Sequence, residues 1–430
     1  MIRPPITTDR FFLVMTFAFL AGLTGCGSNE QTSSPSLDTK VKLGEQLFSD
    51  IQLSFNGTQS CATCHDPDAA FVDTRSLAGH GDAAFSASVG DDGVSLGDRN
   101  APSAAYAFLS PEFQVGTRQR VASQRTSGVG AYEGYLGGQF WDGRESNLAG
   151  QAGGPPLNAL EMGMPSKQAV VDVLRADEEY AASFEYLYGS DIFNDIESAY
   201  ASMADAIAAF EHTEAFAPFD SKYDRSLNFP ATYAFYIESA AAKGKSKFFS
   251  SDLACASCHQ LKSVGSKQEP FTSFEYHNLG VPTNQTLKAE RESRDLVHGI
   301  DLGLANNTNI ASEDVGSSEG KFKVPTLRNV AVTAPYMHNG VFERLDTVMR
   351  FYEHAKMVGR GETSTIVNPE TGNVFADAEV ADNISHDVLA NNQINIDSET
   401  AFQLECFLMS LTDARYEHLL DAAKVKNCGL

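Results

Sequence analysis

Apolar residues recur at helical spacing in several segments of the chain. This pattern predicts helices over residues 41–49 and, with a related sequence, over residues 242–250. An alanine-rich helix is predicted over residues 200–216, and an amphipathic one over residues 398–411. Residues 345–352 carry a further apolar stripe at positions i, i+3, i+4 and i+7. The sequence therefore predicts a mainly α-helical protein.

The first two helices look like diverged copies of one element. Gly44 and Phe48 of the first recur as Gly244 and Phe248 of the second. A chain of 430 residues is long enough for two domains of about 150–200 residues, each with its own core. We expect two related domains, 41–225 and 226–430, joined near residues 219–230.

Each copy is followed by a C-x-x-C-H motif, the sequence that attaches haem c covalently. In each motif the two thiols add to the vinyl groups of the haem and the histidine ligates the iron. No βαβ pattern surrounds either motif, which argues against a thioredoxin-like redox site. The motifs predict a di-haem c-type cytochrome that uses Cys61, Cys64 and His65 for one haem and Cys255, Cys258 and His259 for the other.

Net charge and cysteine usage indicate which class of partner is excluded and in which compartment the protein folds. The formal net charge of −24 argues against a nucleic-acid partner, because binding phosphates needs a basic face. Haem attachment of this kind in bacteria takes place outside the cytoplasm, which implies an oxidising compartment. Cys406 and Cys428 can then form a disulfide, although two unpaired thiols are equally compatible with the sequence.

The N-terminus reads as an export signal. Arg3 and Arg10 precede an apolar run, residues 11–23, that is too short to span a bilayer comfortably. Residues 23–26 resemble the bacterial lipoprotein cleavage box, which implies a mature chain that begins at a lipid-bearing Cys26; an ordinary signal peptide cut nearby is the alternative. We expect residues 1–25 to be the signal, residues 26–40 a flexible tether, and the protein to be lipid-anchored in the periplasm or cell envelope.

Six motifs, in their order along the chain, resemble those of the bacterial di-haem cytochrome c peroxidase/MauG family. The motifs occupy residues 99–103, 140–144, 158–162, 208–211, 322–329 and 334–340. The resemblance covers nearly the whole mature chain. It implies two cytochrome c-like haem domains, with the peroxidatic haem in the N-terminal domain and the electron-transfer haem in the C-terminal one.

The resemblance also implies roles around the first haem. A haem that binds peroxide needs a carboxylate nearby to move a proton between the peroxide oxygens. Glu161 matches the distal acid–base glutamate of the family, and Gln151 and Pro155 match residues that line the same pocket. Trp141 matches a tryptophan that mediates electron transfer between the haems. The alternatives are a solvated carboxylate for Glu161 and a core anchor for Trp141.

The sequence does not decide the second axial ligand of either haem iron. The loop around His80 resembles one whose histidine caps the first haem in some peroxidases of the family, whereas the MauG-like branch leaves that iron open. Tyr352 stands where those peroxidases carry a methionine ligand to the second haem, and MauG-like enzymes carry tyrosine there. Tyr352 could instead be one more buried aromatic, with Met349 as the ligand and Met337 and Met357 as weaker candidates.

A calcium site is implied by resemblance alone. The side chain of Asn100 and the backbone carbonyls of Thr333 and Pro335 match a family site between the domains, and hard oxygen ligands suit Ca²⁺. His338 lies in the same element without a firm role.

The sequence is compatible with three functions. The leading hypothesis is a peroxidase that reduces H₂O₂ with electrons from a small cytochrome c or cupredoxin. The second is a MauG-like enzyme that uses H₂O₂, through a high-valent di-haem state, to oxidise tyrosine or tryptophan of a partner protein. The third is a non-catalytic di-haem electron-transfer cytochrome, which would need no distal acid. A homodimer is possible by resemblance, and contact with a membrane is expected only through the N-terminal lipid.

Overall fold

Helices carry most of the regular structure, as the apolar pattern predicts. The computed structural model describes residues 34–76, 87–125, 128–389 and 395–430. Residues 35–430 form one compact unit. Of the helices in the described ranges, none has both the length and the apolar content needed to cross a bilayer.

The α-helices of the described residues are α1 (Lys40–Phe48), α2 (Cys61–Cys64), α3 (Ala122–Arg125), α4 (Leu148–Ala152), α5 (Lys167–Ala176), α6 (Glu178–Tyr188), α7 (Ile196–Glu211), α8 (Lys222–Asn228), α9 (Pro230–Tyr233), α10 (Ala240–Phe248), α11 (Gln285–Ser293), α12 (Val315–Ser318), α13 (Leu345–Gly359), α14 (His386–Leu389), α15 (Ser398–Met409) and α16 (Ala422–Cys428). Within the same ranges two small antiparallel sheets occur. Strand β1 (Gln114–Arg118) pairs with β2 (Tyr132–Leu136), and β3 (Tyr276–His277) pairs with β4 (Phe322–Lys323).

The predicted helices form close to their expected limits, and a polar cap explains where the alanine-rich one begins. The alanine-rich helix α7 begins earlier than expected, at Ile196, because the Asp195 side chain accepts a hydrogen bond from the backbone N–H of Ser198. It also ends earlier than expected, at Glu211, and His212 is its C-cap residue. The segment in which we expected the two halves to join contains helix α8, whose first turn is closed by a capping box between Ser221 and Asp224.

The repeated glycines have the same structural role in both halves. A Cβ on Gly44 of α1 would lie 1.9 Å from the carbonyl oxygen of Ala206 in α7. A Cβ on Gly244 of α10 would lie 1.7 Å from the carbonyl oxygen of Gln403 in α15. Only glycine allows either backbone contact. The helix before each C-x-x-C-H motif therefore crosses a later helix at the same point of the repeat.

We expect Gly244→Ala to lower the free energy of unfolding by about 1–3 kcal/mol, because the added methyl group must push α10 away from α15. Helix propensity alone would give the opposite sign, since alanine favours a helix interior over glycine by about 1 kcal/mol. Denaturant unfolding of the haem-loaded protein measures the change. Gly316→Ala is the matched control, because Gly316 also lies in a helix but has open space where its Cβ would be. Equal stability of the Gly244→Ala protein and the wild type would contradict the close contact.

Two main hydrophobic clusters lie one after the other along the chain. The first is formed by buried residues between Leu43 and Ala217, and the second by buried residues between Tyr223 and Leu411. The Arg328 guanidinium, which is fully buried, donates from Nη2 to Asp224 Oδ1 at 3.0 Å and satisfies that carboxylate inside the protein.

The remaining two cysteines are joined. A disulfide links Cys406 in α15 to Cys428 at the end of α16, with their Cα atoms 5.2 Å apart. Both residues are fully buried. Of the two alternatives that the sequence left open, the structure shows the disulfide, which fixes the C-terminal helix against α15.

Candidate haem sites and active site

Each C-x-x-C-H motif lines its own cavity. Cys61, Cys64 and His65 line a cavity of about 570 Å³ in the N-terminal half. The corresponding residues of the second motif line a smaller one of about 210 Å³; they are Cys255, Cys258 and His259. All four cysteines are unpaired thiols. The structure therefore places both motifs where thioether bonds to two separate haems can form.

In both motifs a backbone carbonyl oxygen lies close to Nδ1 of the histidine. Nδ1 of His65 lies 3.2 Å from the carbonyl oxygen of Phe71, and Nδ1 of His259 lies 3.3 Å from that of Phe271. This leaves Nε2 of each ring as the atom that can bind iron, the usual arrangement of a metal-ligating histidine. Burial lowers the pKa of both imidazoles, to about 4 for His259, so each is neutral and ready to ligate. These residues fit haem c.

The two carbonyl partners were not found from the sequence. Phe71 and Phe271 are both buried, and both have a left-handed backbone with φ of 56° and 52°. Left-handed backbone is uncommon for a bulky residue and turns each carbonyl towards its histidine. The signal available was a phenylalanine a short distance after each motif, which is too weak to predict such a contact.

The first cavity contains the predicted acid. Glu161 lines it together with Gln151 and Pro155. Asn158 donates a hydrogen bond from Nδ2 to Glu161 Oε1 at 2.9 Å. Burial raises the pKa of Glu161, while the positive charge of Arg144 opposes that shift. The result is a half-buried carboxyl with a raised proton affinity, a property suited to general acid–base chemistry.

A second acid in this cavity was missed. Glu211, the last residue of α7, lines the cavity and is only 5% exposed. One of its carboxylate oxygens has no hydrogen-bond partner among the described residues. Burial raises its pKa to about 8, so it is mostly a neutral acid at pH 7. It closes one of the family-like motifs, but nothing in the sequence indicated that its side chain would be buried.

Trp141 lies in the wall that the two cavities share. It lines both of them. Its indole Nε1 donates to the carbonyl oxygen of Asn100 at 2.8 Å, and its own carbonyl oxygen accepts from the backbone N–H of Lys323 at 2.8 Å. Lys323, Tyr336 and Met337 also line both cavities. Trp141 therefore lies between the cavity of the first motif and the cavity of the second.

The three residues of the expected calcium site come together at the first cavity. Asn100, Thr333 and Pro335 all line it, and Asn100 Nδ2 lies 2.7 Å from the carbonyl oxygen of Pro335. Nearby, His338 is buried with its ring stacked on Phe322 at a centroid distance of 3.6 Å. Its Nε2 has no partner in the described part of the chain.

Tyr352 lies in the second cavity, on helix α13. It lines that cavity with Met349 and Met337, whereas Met357 lines neither cavity. Burial raises the pKa of the Tyr352 phenol, so a phenolate would form only where a metal ion compensates its charge. His80 and Cys26, by contrast, lie outside the described residues.

A buried charged cluster flanks Cys258. Glu275 accepts from Arg120 Nη1 at 2.7 Å and from Arg118 Nε at 2.5 Å, while its other oxygen lies 2.9 Å from His277 Nε2. Arg118 belongs to β1 and Glu275 adjoins β3, so the cluster links the two sheets. Because two guanidinium groups donate hydrogen bonds to the Glu275 carboxylate and balance its charge, we interpret the cluster as structural support beside the second motif.

The family model for di-haem cytochrome c peroxidase matches residues 38–230. The methylamine utilization protein MauG of Paracoccus denitrificans is 43% identical over 407 residues, which cover 94% of this chain and 96% of that protein. The cytochrome c peroxidase Ccp of Escherichia coli is 29% identical over 337 residues, covering 77% of this chain and 57% of that protein.

Solved structures give the same picture. The diheme peroxidase BthA from Burkholderia thailandensis matches with a TM-score of 0.70 and 26% identity, over 90% of this chain and 88% of that one. A MauG-like protein associated with microbial copper homeostasis matches with a TM-score of 0.57 and 26% identity, over 90% of this chain and 92% of that one.

Proposed function

This chain belongs to the di-haem cytochrome c peroxidase family, and we propose that it uses H₂O₂ to oxidise tyrosine or tryptophan side chains of a partner protein. Members of the family are peroxidase-type oxidoreductases with haem c cofactors. The sequence alone put reduction of H₂O₂ by a small redox protein first. The observation that carries the present choice is Tyr352 in the second haem cavity. The 43% identity to MauG over 94% of the chain supports it.

The first cavity would carry out the peroxide step. Haem iron, held there by His65, would supply the peroxide-binding site and the redox chemistry. The Glu161 carboxylate can accept a proton from one oxygen of H₂O₂ and return it to the other. Gln151 and Pro155 bound the space in which the peroxide must lie, which fixes its position relative to Glu161.

Trp141 would connect the two sites. It is the single tryptophan of the chain, and its indole is held by the hydrogen bond to Asn100 rather than free to rotate. An aromatic ring fixed in the wall between the cavities provides the direct contact through which one half can share an oxidising equivalent with the other. The same ring packs the wall, so core packing and electron transfer do not exclude each other.

Tyr352 and His259, which line the same cavity, would together hold the iron of the second haem. A phenolate is a hard, anionic ligand that favours oxidised iron and lowers the reduction potential, whereas a methionine ligand raises it. A low potential at the second haem favours sharing of oxidising equivalents over the storage of an electron for peroxide reduction. The reduction potential of the second haem is therefore the property that distinguishes the two enzymatic functions.

The discriminating experiment is to add one equivalent of H₂O₂ to the fully ferric, haem-loaded protein and to record its absorption spectrum without any reductant. We expect a long-lived oxidised spectrum, because both halves can share the two oxidising equivalents. A protein that stays spectrally silent until it is half-reduced would contradict this proposal and would favour the peroxidase function. No response in either state would leave only electron transfer.

Peroxide reduction with electrons from a small cytochrome c or cupredoxin is the second candidate. Glu161 serves that reaction equally well, and the match to Escherichia coli Ccp favours it. If this function is the right one, H₂O₂ should rapidly oxidise added reduced cytochrome c, at a rate that saturates with the cytochrome c concentration.

We also propose that Ca²⁺ binds at Asn100, Thr333 and Pro335. The Asn100 amide and the Pro335 carbonyl already face each other, and a turn of that amide would direct its oxygen to the same point. The two halves, 41–225 and 226–430, would each hold one haem. An export signal over residues 1–25 and a lipid on Cys26 would place the protein in the periplasm or cell envelope.

A further inference from the structure

Tyr106 is a buried tyrosine in the wall of the first haem cavity. Only 2% of it is exposed, and it lines the cavity that contains Glu161. Its hydroxyl donates to Asp413 Oδ1 at 2.6 Å. Neither residue belongs to the peroxide chemistry described above. A phenol with a carboxylate at this distance has a ready acceptor for its proton.

No other described tyrosine combines these two properties. Tyr336 and Tyr352 also line haem cavities, but neither donates to a carboxylate of the described residues. The Tyr336 hydroxyl donates to the backbone carbonyl of Val330 at 3.1 Å, which cannot accept a proton. Tyr135, Tyr180 and Tyr188 do donate to carboxylates, but they line neither cavity. Among the tyrosines that the structure describes, Tyr106 alone combines a place in a haem-cavity wall with a carboxylate partner.

Asp413 is held in place for this role. It is 1% exposed, and Asn329 Nδ2 donates to its second oxygen, Oδ2, at 2.8 Å. Burial raises its pKa to about 6, so it is ionised at neutral pH and yet accepts a proton more readily than an exposed aspartate. The Arg328 guanidinium lies 5.3 Å from the Tyr106 ring centroid, but its charge is balanced by Asp224.

We infer that Tyr106 is a redox-active residue that holds an oxidising equivalent when no partner protein is available to be oxidised. This inference rests on the proposed function, because H₂O₂ must first oxidise the haem pair. Tyr106 then gives one electron to the oxidised haem pair, and its phenolic proton moves to Asp413 Oδ1. The products are a neutral tyrosyl radical, a protonated Asp413 and a haem pair reduced by one electron.

Freeze-quench EPR of the haem-loaded protein after mixing with H₂O₂, with no reductant, tests the inference. In wild-type protein we expect an organic radical signal whose lines narrow when tyrosine is ring-deuterated. Tyr106→Phe should lose the signal, and Asp413→Asn should lose it as well, because an amide cannot take up the proton. Tyr336→Phe is the matched control, since it removes a cavity tyrosine without a carboxylate partner, and it should keep the signal.

The outcomes separate the two proposals. An oxidised optical spectrum without a tyrosyl signal would overturn the role of Tyr106 and leave the proposed function standing. A signal that survives in Tyr106→Phe, or disappears only in Tyr336→Phe, would also overturn it. The ring-deuterated wild type keeps the test valid if a variant does not fold: a radical whose lines do not narrow is not on tyrosine. Absence of any oxidised spectrum would refute the proposed function, and the inference with it.

Discussion

Replacing Glu161 by glutamine is expected to lower peroxide turnover by about 10²–10⁴-fold, the usual contribution of a positioned acid–base group. Glutamine keeps the size of the side chain and can still contact Asn158, but it cannot carry a proton from one peroxide oxygen to the other. Both haems should stay attached, because Glu161 contacts neither C-x-x-C-H motif through a hydrogen bond. Stopped-flow mixing of the haem-loaded variant with H₂O₂ measures the loss.

Glu145→Gln provides the control. Glu145 lies in the same part of the chain but does not line either cavity, so its variant should react like the wild type. The pH profile gives a second readout. Because burial raises the pKa of Glu161, its basic form is lost at a higher pH than for an exposed glutamate, and the rate should fall as the pH drops through that raised pKa. An unchanged rate in Glu161→Gln would refute its role.

Replacing Tyr352 by methionine is expected to change the second haem most strongly. Exchange of a phenolate for a thioether should raise the reduction potential by on the order of 100 mV or more, since axial ligands alone tune haem over a range of about 0.8 V. The oxidised state that H₂O₂ produces should then be short-lived, and oxidation of a partner protein should stop. Spectroelectrochemical titration measures the potential, and the decay of the oxidised spectrum measures the lifetime.

Met349→Leu is the matched control for this prediction. Met349 lines the same cavity from the same helix and is the alternative ligand. If Tyr352 is the ligand, Met349→Leu should leave the potential almost unchanged, because leucine preserves the apolar volume. A large shift in Met349→Leu together with none in Tyr352→Met would assign the ligand to Met349.

Much of the fold could be predicted because local signals carry it. The helix before each haem motif follows from its apolar spacing, and its polar cap, Thr39 or Ser239, lies immediately before the observed first residue. The repeat of Gly44 as Gly244 anticipated a shared architecture, and the structure shows why glycine is needed at both positions. The end of α7 at Glu211 was harder to place, because the apolar residues Ala215 and Phe216 continue the pattern beyond the helix and pack against the core.

The residues of the candidate site also fall into two groups, those that a local motif predicts and those that distant contacts bring together. The spacing of each C-x-x-C-H motif predicts haem attachment by itself, so the sequence alone was enough to propose these cysteines and histidines. Contacts that depend on distant parts of the chain could not. The burial of Glu211 results from packing of α7 over the first cavity, and the bond from Tyr106 to Asp413 joins residues 307 positions apart. No periodicity or spacing reports such pairs.

EPR of the fully ferric, haem-loaded protein tests most directly the claim that the two irons on either side of Trp141 have unlike ligands and different tasks. We predict two signals of equal weight. One is high-spin, from an iron held by His65 with its other side open, and the other is low-spin, from an iron held by His259 and Tyr352. Two low-spin signals with histidine or methionine as the second ligand, or a single haem signal per chain, would contradict this division of roles.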